Sequence, residues 1–191
     1  MEPENKDLLN ALASDVAGNY ECLVTLYWRP LNAFVIRRMV PAHDAEDLVQ
    51  EIFLRAYLAL NHYPVQQIRD LKLRGWLYTI AWNACTNYLS RNKQPPLISI
   101  EGEADPISEL EDTQSEQPDV LLELRERREE LETLVSTLPH RYRDVVSLYY
   151  FEGLSQQEIA NILNVRVGTV KVSVHRGLKL LQKVVALQTN R

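Results

Sequence analysis

The chain reads as all-α, two small helical domains joined by a flexible acidic linker, the C-terminal one a helix-turn-helix. Three observations predict this. Apolar residues recur at helical spacing through most of the 191 residues and no strand-like alternation survives anywhere. An interval from Asn92 to Pro118 carries Pro95, Pro96, Gly102, Pro106 and Pro118 among seven acids, a composition that buries too little apolar surface to repay ordering. Near the C-terminus, Ser155 followed by Glu158 is a capping box, so a helix starts there, and a second helical pattern follows after a break near Asn164. The boundaries drawn from these signals are 1–92, 93–118 and 119–191.

In the first domain, Leu8, Leu9, Ala11 and Leu12 predict a short helix over Asp7 to Asp15, interrupted at Gly18 or Asn19. A longer helix is expected from Tyr20 to Val40, with Leu23, Leu26, Tyr27, Leu31, Phe34 and Val35 inward. Pro30 would kink or divide it. Arg37 and Arg38 stand near its C-terminal end, where cations complement the helix dipole. Asp44 reads as the cap of the next helix, in which Leu48, Ile52, Ala56 and Leu60 follow at steps of four. Its other side shows Glu46, Asp47, Gln50, Glu51 and Arg55, with Phe53 and Tyr57 beside them. Such a face is either solvated or a docking surface, and the pattern alone leaves both open.

A polar interval from Asn61 to Arg74 holds Arg69, Lys72 and Arg74, and Gly75 closes it. The helix from about Trp76 to Arg91 mixes Trp76, Tyr78, Trp82 and Tyr88 with Asn83, Asn87, Ser90 and Arg91. Two tryptophans on one short helix fit a core, yet aromatics beside asparagines and a basic loop also fit stacking on unpaired bases. After the linker, Val120 to Thr137 predicts an amphipathic helix, and Pro139 starts another that Gly153 ends.

At about 100° per residue, Val167, Val170, Val174, Leu178, Leu181 and Val185 share one arc of the last helix, its core side. Opposite lie Thr169, Val172, His175, Arg176, Lys179 and Lys183, short polar groups mixed with cations. From Ile159 onward there is no Asp or Glu, while Arg166, Lys171, Arg176, Lys179, Lys183 and Arg191 are all positive. In a chain of net charge -5 that segregation points to a polyanion.

Other chemistry finds little support. Cys22 and Cys85 have no zinc-finger spacing and read as buried thiols. His43, His62, His140 and His175 lie on separate segments, with no nucleophile arrangement, metal set or glycine-rich phosphate loop beside them, so no enzyme, no cofactor and no metal is expected. No apolar run approaches a membrane span and the N-terminus is no signal peptide, which predicts a cytoplasmic protein.

Three stretches in register resemble one family: Asp44 to Phe53, Gly75 to Asn83, and Leu138-Pro139 through Gly153-Leu154-Ser155 to Gly168-Thr169-Val170-Lys171. They are similar to the extracytoplasmic-function group of sigma-70-type bacterial sigma factors, which keep only the second and fourth conserved regions. The resemblance runs from about Tyr20 to Val185. It implies that Asp44, Glu46, Asp47, Gln50, Glu51 and Phe53 contact core RNA polymerase at the clamp helices of its largest subunit, the C-terminal domain meeting the flap of the second-largest. It implies that Arg69, Lys72, Arg74, Trp76, Asn83, Asn87 and Arg91 open the promoter and capture a minus-ten base. Ser155, Arg166, Thr169, Lys171, Val172, Ser173, His175, Arg176 and Lys179 would meet the minus-thirty-five element. The linker would thread toward the RNA exit path, and an anti-sigma factor would restrain the protein. Departures are the sparse cations after the promoter-opening helix, the long loop from Tyr63 to Arg74, Arg166 where a small residue or proline is common, and Val172 where a polar one is.

The competing reading is a stand-alone helix-turn-helix regulator whose N-terminal half senses or dimerises. An acidic face followed by a basic, aromatic helix argues for the promoter-specificity subunit, since a simple repressor has no use for either.

Overall fold

A computed structural model describes residues 3–38, 40–91 and 131–189. The linker 93–118, the first part of the helix expected from Val120, and the side chains of Val185 and Arg191 lie outside the described residues. Every described element is helical, and no strand occurs among the described residues.

Leu9, Leu12 and Ala13 bury one side of α1 (Pro3–Ser14) against α2 (Val16–Arg37) and the short α4 (Val65–Arg69), whose anchor is Ile68. Asp15 caps α2 by accepting the Gly18 N–H at 3.0 Å, so Gly18 sits inside the first turn. The expected interruption at Gly18 or Asn19 is therefore a start, because the aspartate supplies the acceptor that the free N–H groups need. Pro30 lies inside an undivided helix, and the carbonyl it deprives of a partner belongs to Leu26, whose side chain is exposed.

Helix α3 (Ala42–His62) begins two residues before Asp44, after Pro41, with no side-chain cap. Asp44 instead accepts a hydrogen bond from the Tyr88 hydroxyl, tying the head of α3 to the tail of α5 (Leu73–Arg91). That helix starts at Leu73 rather than Trp76 and includes Gly75, which is buried. The reason is non-local: a Cβ on Gly75 would come within 2.8 Å of a Glu158 carboxylate oxygen, so glycine here permits close approach by another helix.

In the C-terminal half, a described helical stretch α6 at 131–136 leads into α7 (His140–Tyr150), α8 (Gln156–Leu163) and α9 (Val167–Thr189). The capping box at Ser155 and Glu158 is present. Asn164, at φ 52, takes the left-handed conformation that turns α8 into α9. Val135, Leu138, Tyr142, Val146 and Leu181 pack α6, α7 and α9 together. Leu148, Leu154, Ile159, Val170 and Val174 join a larger cluster that runs on into α2, α3 and α5. The two helical units thus meet, chiefly where α8 lies on α5.

Candidate nucleic-acid interface

On α9, Val170, Val174 and Leu181 are buried, and Val167 and Leu178 are half-buried beside them. Gly177 belongs to the same side, where a Cβ would meet Val146 Cγ2 at 2.6 Å. Thr169, Lys171, Val172, His175, Arg176, Lys179 and Lys183 are exposed, Ser173 is half-buried, and Arg166 is exposed just ahead of the helix. One face therefore holds the helix and the other offers donors and cations, the combination that reads base edges while gripping phosphates. Ser155 is exposed but already employed: its backbone N–H donates to Glu158 Oε2 at 2.9 Å, and its Oγ accepts the Glu158 N–H at 3.3 Å.

Helix α5 is covered on two sides. Leu73, Leu77, Tyr78, Ala81, Ala84 and Cys85 are buried against α3 and α8, which leaves a strip of Trp76, Asn83, Asn87 and Arg91. Three of the four are exposed, and the half-buried Trp76 donates from Nε1 to the Tyr63 hydroxyl at 3.3 Å, their rings 6.1 Å apart. Arg69 and Lys72 are exposed on the lead into this strip. Arg74 is not part of it: half-buried, it points across to Gly153 of the C-terminal half. Trp82 and Tyr78 face away as well. The Arg38 guanidinium lies 3.8 Å over the Trp82 ring, and the Tyr78 hydroxyl donates to Glu152. Burial, then the Glu152 charge, push the Tyr78 phenol well above its ordinary value. Burial likewise pushes the Cys85 thiol up to about 12. Cys22, expected to be buried, is exposed on the outer side of α2.

On α3, Glu46, Asp47, Gln50 and Glu51 are exposed and Asp44 is half-buried. Phe53 does not share their face. It is 5% exposed, stacked on Trp28 with centroids 6.0 Å apart and edge-on to Tyr20. Val49, one turn earlier, is buried too, so the apolar arc is wider than steps of four from Leu48 suggest. Leu54 and Leu58, 58% and 51% exposed, occupy the outer face instead and extend the line of Asp47, Gln50 and Glu51 by three- and four-residue steps. The same periodicity marks them once Phe53 is placed inside. A cleft of about 220 Å³ between α3 and α5 joins Glu51 and Arg55 to Asn87, Tyr88 and Arg91.

Among the described residues, no group of three or more His, Cys, Asp and Glu side chains is arranged to hold a metal, and no helix is long and apolar enough to cross a membrane.

Known proteins match along nearly the whole chain. The family model for Sigma-70 region 2 matches residues 23–94 and that for Sigma-70, region 4 matches residues 128–181. The ECF RNA polymerase sigma-E factor of Escherichia coli K12 is 32% identical over 174 residues, covering 87% of this chain and 86% of that one. The ECF RNA polymerase sigma factor SigW of Bacillus subtilis 168 is 31% identical over 169 residues, covering 84% and 86%. Among solved structures, CnrH in complex with the cytosolic domain of CnrY superposes with a TM-score of 0.63 at 22% identity, covering 96% of this chain and 97% of that one. RpoE of Bartonella quintana, solved with the anti-sigma factor NepR, gives the same TM-score and identity, covering 88% and 97%. These two likenesses concern the fold.

Proposed function

The chain belongs to the sigma-70 family, in its extracytoplasmic-function group of RNA polymerase sigma factors, and from that premise we propose how its faces divide the work. Glu46, Asp47, Gln50 and Glu51, prolonged by Leu54 and Leu58, dock on core polymerase: acids give orientation and the two leucines give area to bury. The exposed polar side of α9 enters the major groove of the minus-thirty-five element, Arg176 and Lys171 being the cations placed for guanine edges and phosphates.

The strip on α5 acts where the strands separate. Extruding a base costs a few kcal/mol, and the half-buried Trp76 with Tyr63 supplies an aromatic surface for stacking that recovers part of it. Asn83 and Asn87 offer amide donors and acceptors to an unpaired base, and Arg91, Arg69 and Lys72 hold the strand backbone. All of these groups bind and orient; the polymerase performs the chemistry, and this chain acts in the cytoplasm as a specificity subunit without catalysis of its own. A protein partner of the anti-sigma class restrains it, as RpoE of Bartonella quintana, similar in fold, is found with the anti-sigma factor NepR.

The observation that carries the reading is the order and spacing of two separate strips, on α5 and α9, each exposed on one side of a helix whose other side is buried. The experiment is transcription by core polymerase on genomic fragments, with and without the purified chain. New start sites that share two upstream elements are expected only when the chain is added. Tight, specific binding to duplex DNA with no effect on polymerase would favour the stand-alone regulator instead.

A further inference from the structure

Between the two halves lies a charged seam that neither promoter-directed strip uses. Arg37, at the end of α2, bonds Glu132 at 2.8 Å through one terminal nitrogen and Glu152 through the other. Its neighbour Arg38 bonds Asp144 at 2.6 Å. The second oxygen of Glu152 accepts the Tyr78 hydroxyl of α5. Arg74 reaches the same region, its Nη1 3.5 Å from where a Cβ on Gly153 would stand. In these ion pairs among the described residues, the cations come from the N-terminal half and the carboxylates from the C-terminal half. The seam's centre is dry, with Glu152 1% exposed and Arg38 8%, while Glu132 stands at its rim with a side chain 32% exposed.

Two sequence-adjacent arginines with a third beside them form a surface suited to phosphate, because the guanidinium fork fits carboxylate and phosphate oxygens alike. The buried Nε–H groups of Arg37 and Arg38 also donate to no acceptor among the described residues, so the three carboxylates do not exhaust the donors present. A buried ion-pair cluster of this kind gains about as much from Coulomb attraction as it loses in desolvation, which lets it open without a large net cost when another anion or water takes over.

The closed arrangement also cannot serve both promoter elements. Their centres, about 25 base pairs apart, are roughly 85 Å apart at about 3.4 Å per pair. Helices α5 and α9 have 19 and 23 residues, roughly 28 and 34 Å at about 1.5 Å each, and α8 touches both of them. The seam must therefore part before one chain engages both elements.

Resting on the function proposed above, we propose that the Arg37, Arg38 and Arg74 surface is a binding site for the DNA phosphate backbone, kept filled in the closed chain by Glu132, Asp144 and Glu152. The C-terminal half screens the site by imitation of its ligand. When the halves separate, the arginines add phosphate contacts behind the α5 strip while the carboxylates turn to solvent.

The test uses the full chain without polymerase, a fluorescein-labelled promoter duplex, anisotropy over a range of KCl concentrations, and X-ray scattering for the radius of gyration. The triple variant Glu132→Gln, Asp144→Asn, Glu152→Gln should open, bind DNA at least about tenfold more tightly at low salt, and steepen the salt slope by about 2 to 3, close to one unit per phosphate gained. Arg37→Ala with Arg38→Ala should open equally and gain nothing. The proposal is overturned if the acid variant opens with its affinity and slope unchanged, if the arginine variant gains as much, or if neither variant expands. Should the triple variant not fold, Asp144→Asn alone must shift affinity and slope in the same direction, and no shift is equally a refutation. Wild-type transcription with core polymerase separates the two readings: initiation without any slope change in the variants removes the phosphate site and leaves the sigma function standing.

Discussion

Helices α5 and α9 are both long, both proposed to meet promoter DNA, and differently supported. Helix α9 is covered along one side, so its buried valines and leucines leave a broad, continuous polar face. Helix α5 is covered on two sides by α3 and α8, so only a narrow strip through Trp76, Asn83, Asn87 and Arg91 is left, and Tyr78 and Trp82 serve the seam. The difference suits the tasks proposed for the two helices. A major groove admits a helix with one free face, whereas separating strands requires a surface held rigid from behind.

Substitutions along α5 sharpen this contrast most. Tyr78→Ala should lower unfolding free energy by about 3–5 kcal/mol, the cost of emptying a buried aromatic site, while Asn83→Ala on the strip should stay within about 0.5 kcal/mol. Denaturant titration of both reads it, and equal losses would mean that α5 is not divided into strip and core. On α9, Arg176→Ala should weaken upstream-element binding by about 1–3 kcal/mol with stability nearly unchanged. Asp47→Ala should instead weaken polymerase association and leave that binding alone.

A smaller effect separates the two sides of α9 itself. Gly168 has nothing within 4 Å of an added Cβ, so Gly168→Ala should raise stability by about 0.5–1 kcal/mol, the helix propensity difference. Gly177→Ala must displace Val146 and should cost about 1 kcal/mol net, overpacking outweighing the same propensity gain. Thermal unfolding of the pair gives opposite signs if α9 lies as described.

The smallest effect is confined to alkaline solution. The folded Cys85 thiol is held up at about 12 against an ordinary 9.0, so the folded state keeps a proton that the unfolded state releases. The stabilisation is complete below about pH 9 and is lost as pH rises toward 12, with Tyr78 and Tyr20 raised in the same sense. Unfolding midpoints measured from pH 8 upward should fall, and a thiol reagent at neutral pH should label the exposed Cys22 and spare Cys85.

How far the sequence reveals these features depends on whether their cause is local. The α9 face, the capping box at Ser155 and the acidic line on α3 are set by neighbours three or four positions away, and periodicity displays them. The inward direction of Phe53 has no local cause, because it depends on Trp28 of another helix. Gly75 reads as punctuation in a string of residues, yet its role comes from Glu158, 83 positions later. Arg37 and Arg38 look like dipole complements at a helix end, and their partners lie 95 and more residues away. The two-sided burial of α5 has the same origin: its second cover, α8, is a contact that no window of α5 contains.

Footprinting and strand-opening measured together on one polymerase complex test the division of labour most directly. Duplex protection around the upstream element and permanganate reactivity of unpaired thymines near the start site would be recorded for Arg176→Ala and for Asn83→Ala with Asn87→Ala. The account predicts that the first variant loses upstream protection but opens a template already mismatched at the start site, and that the second keeps upstream protection and loses strand opening. Loss of both signals in parallel by both variants would contradict it.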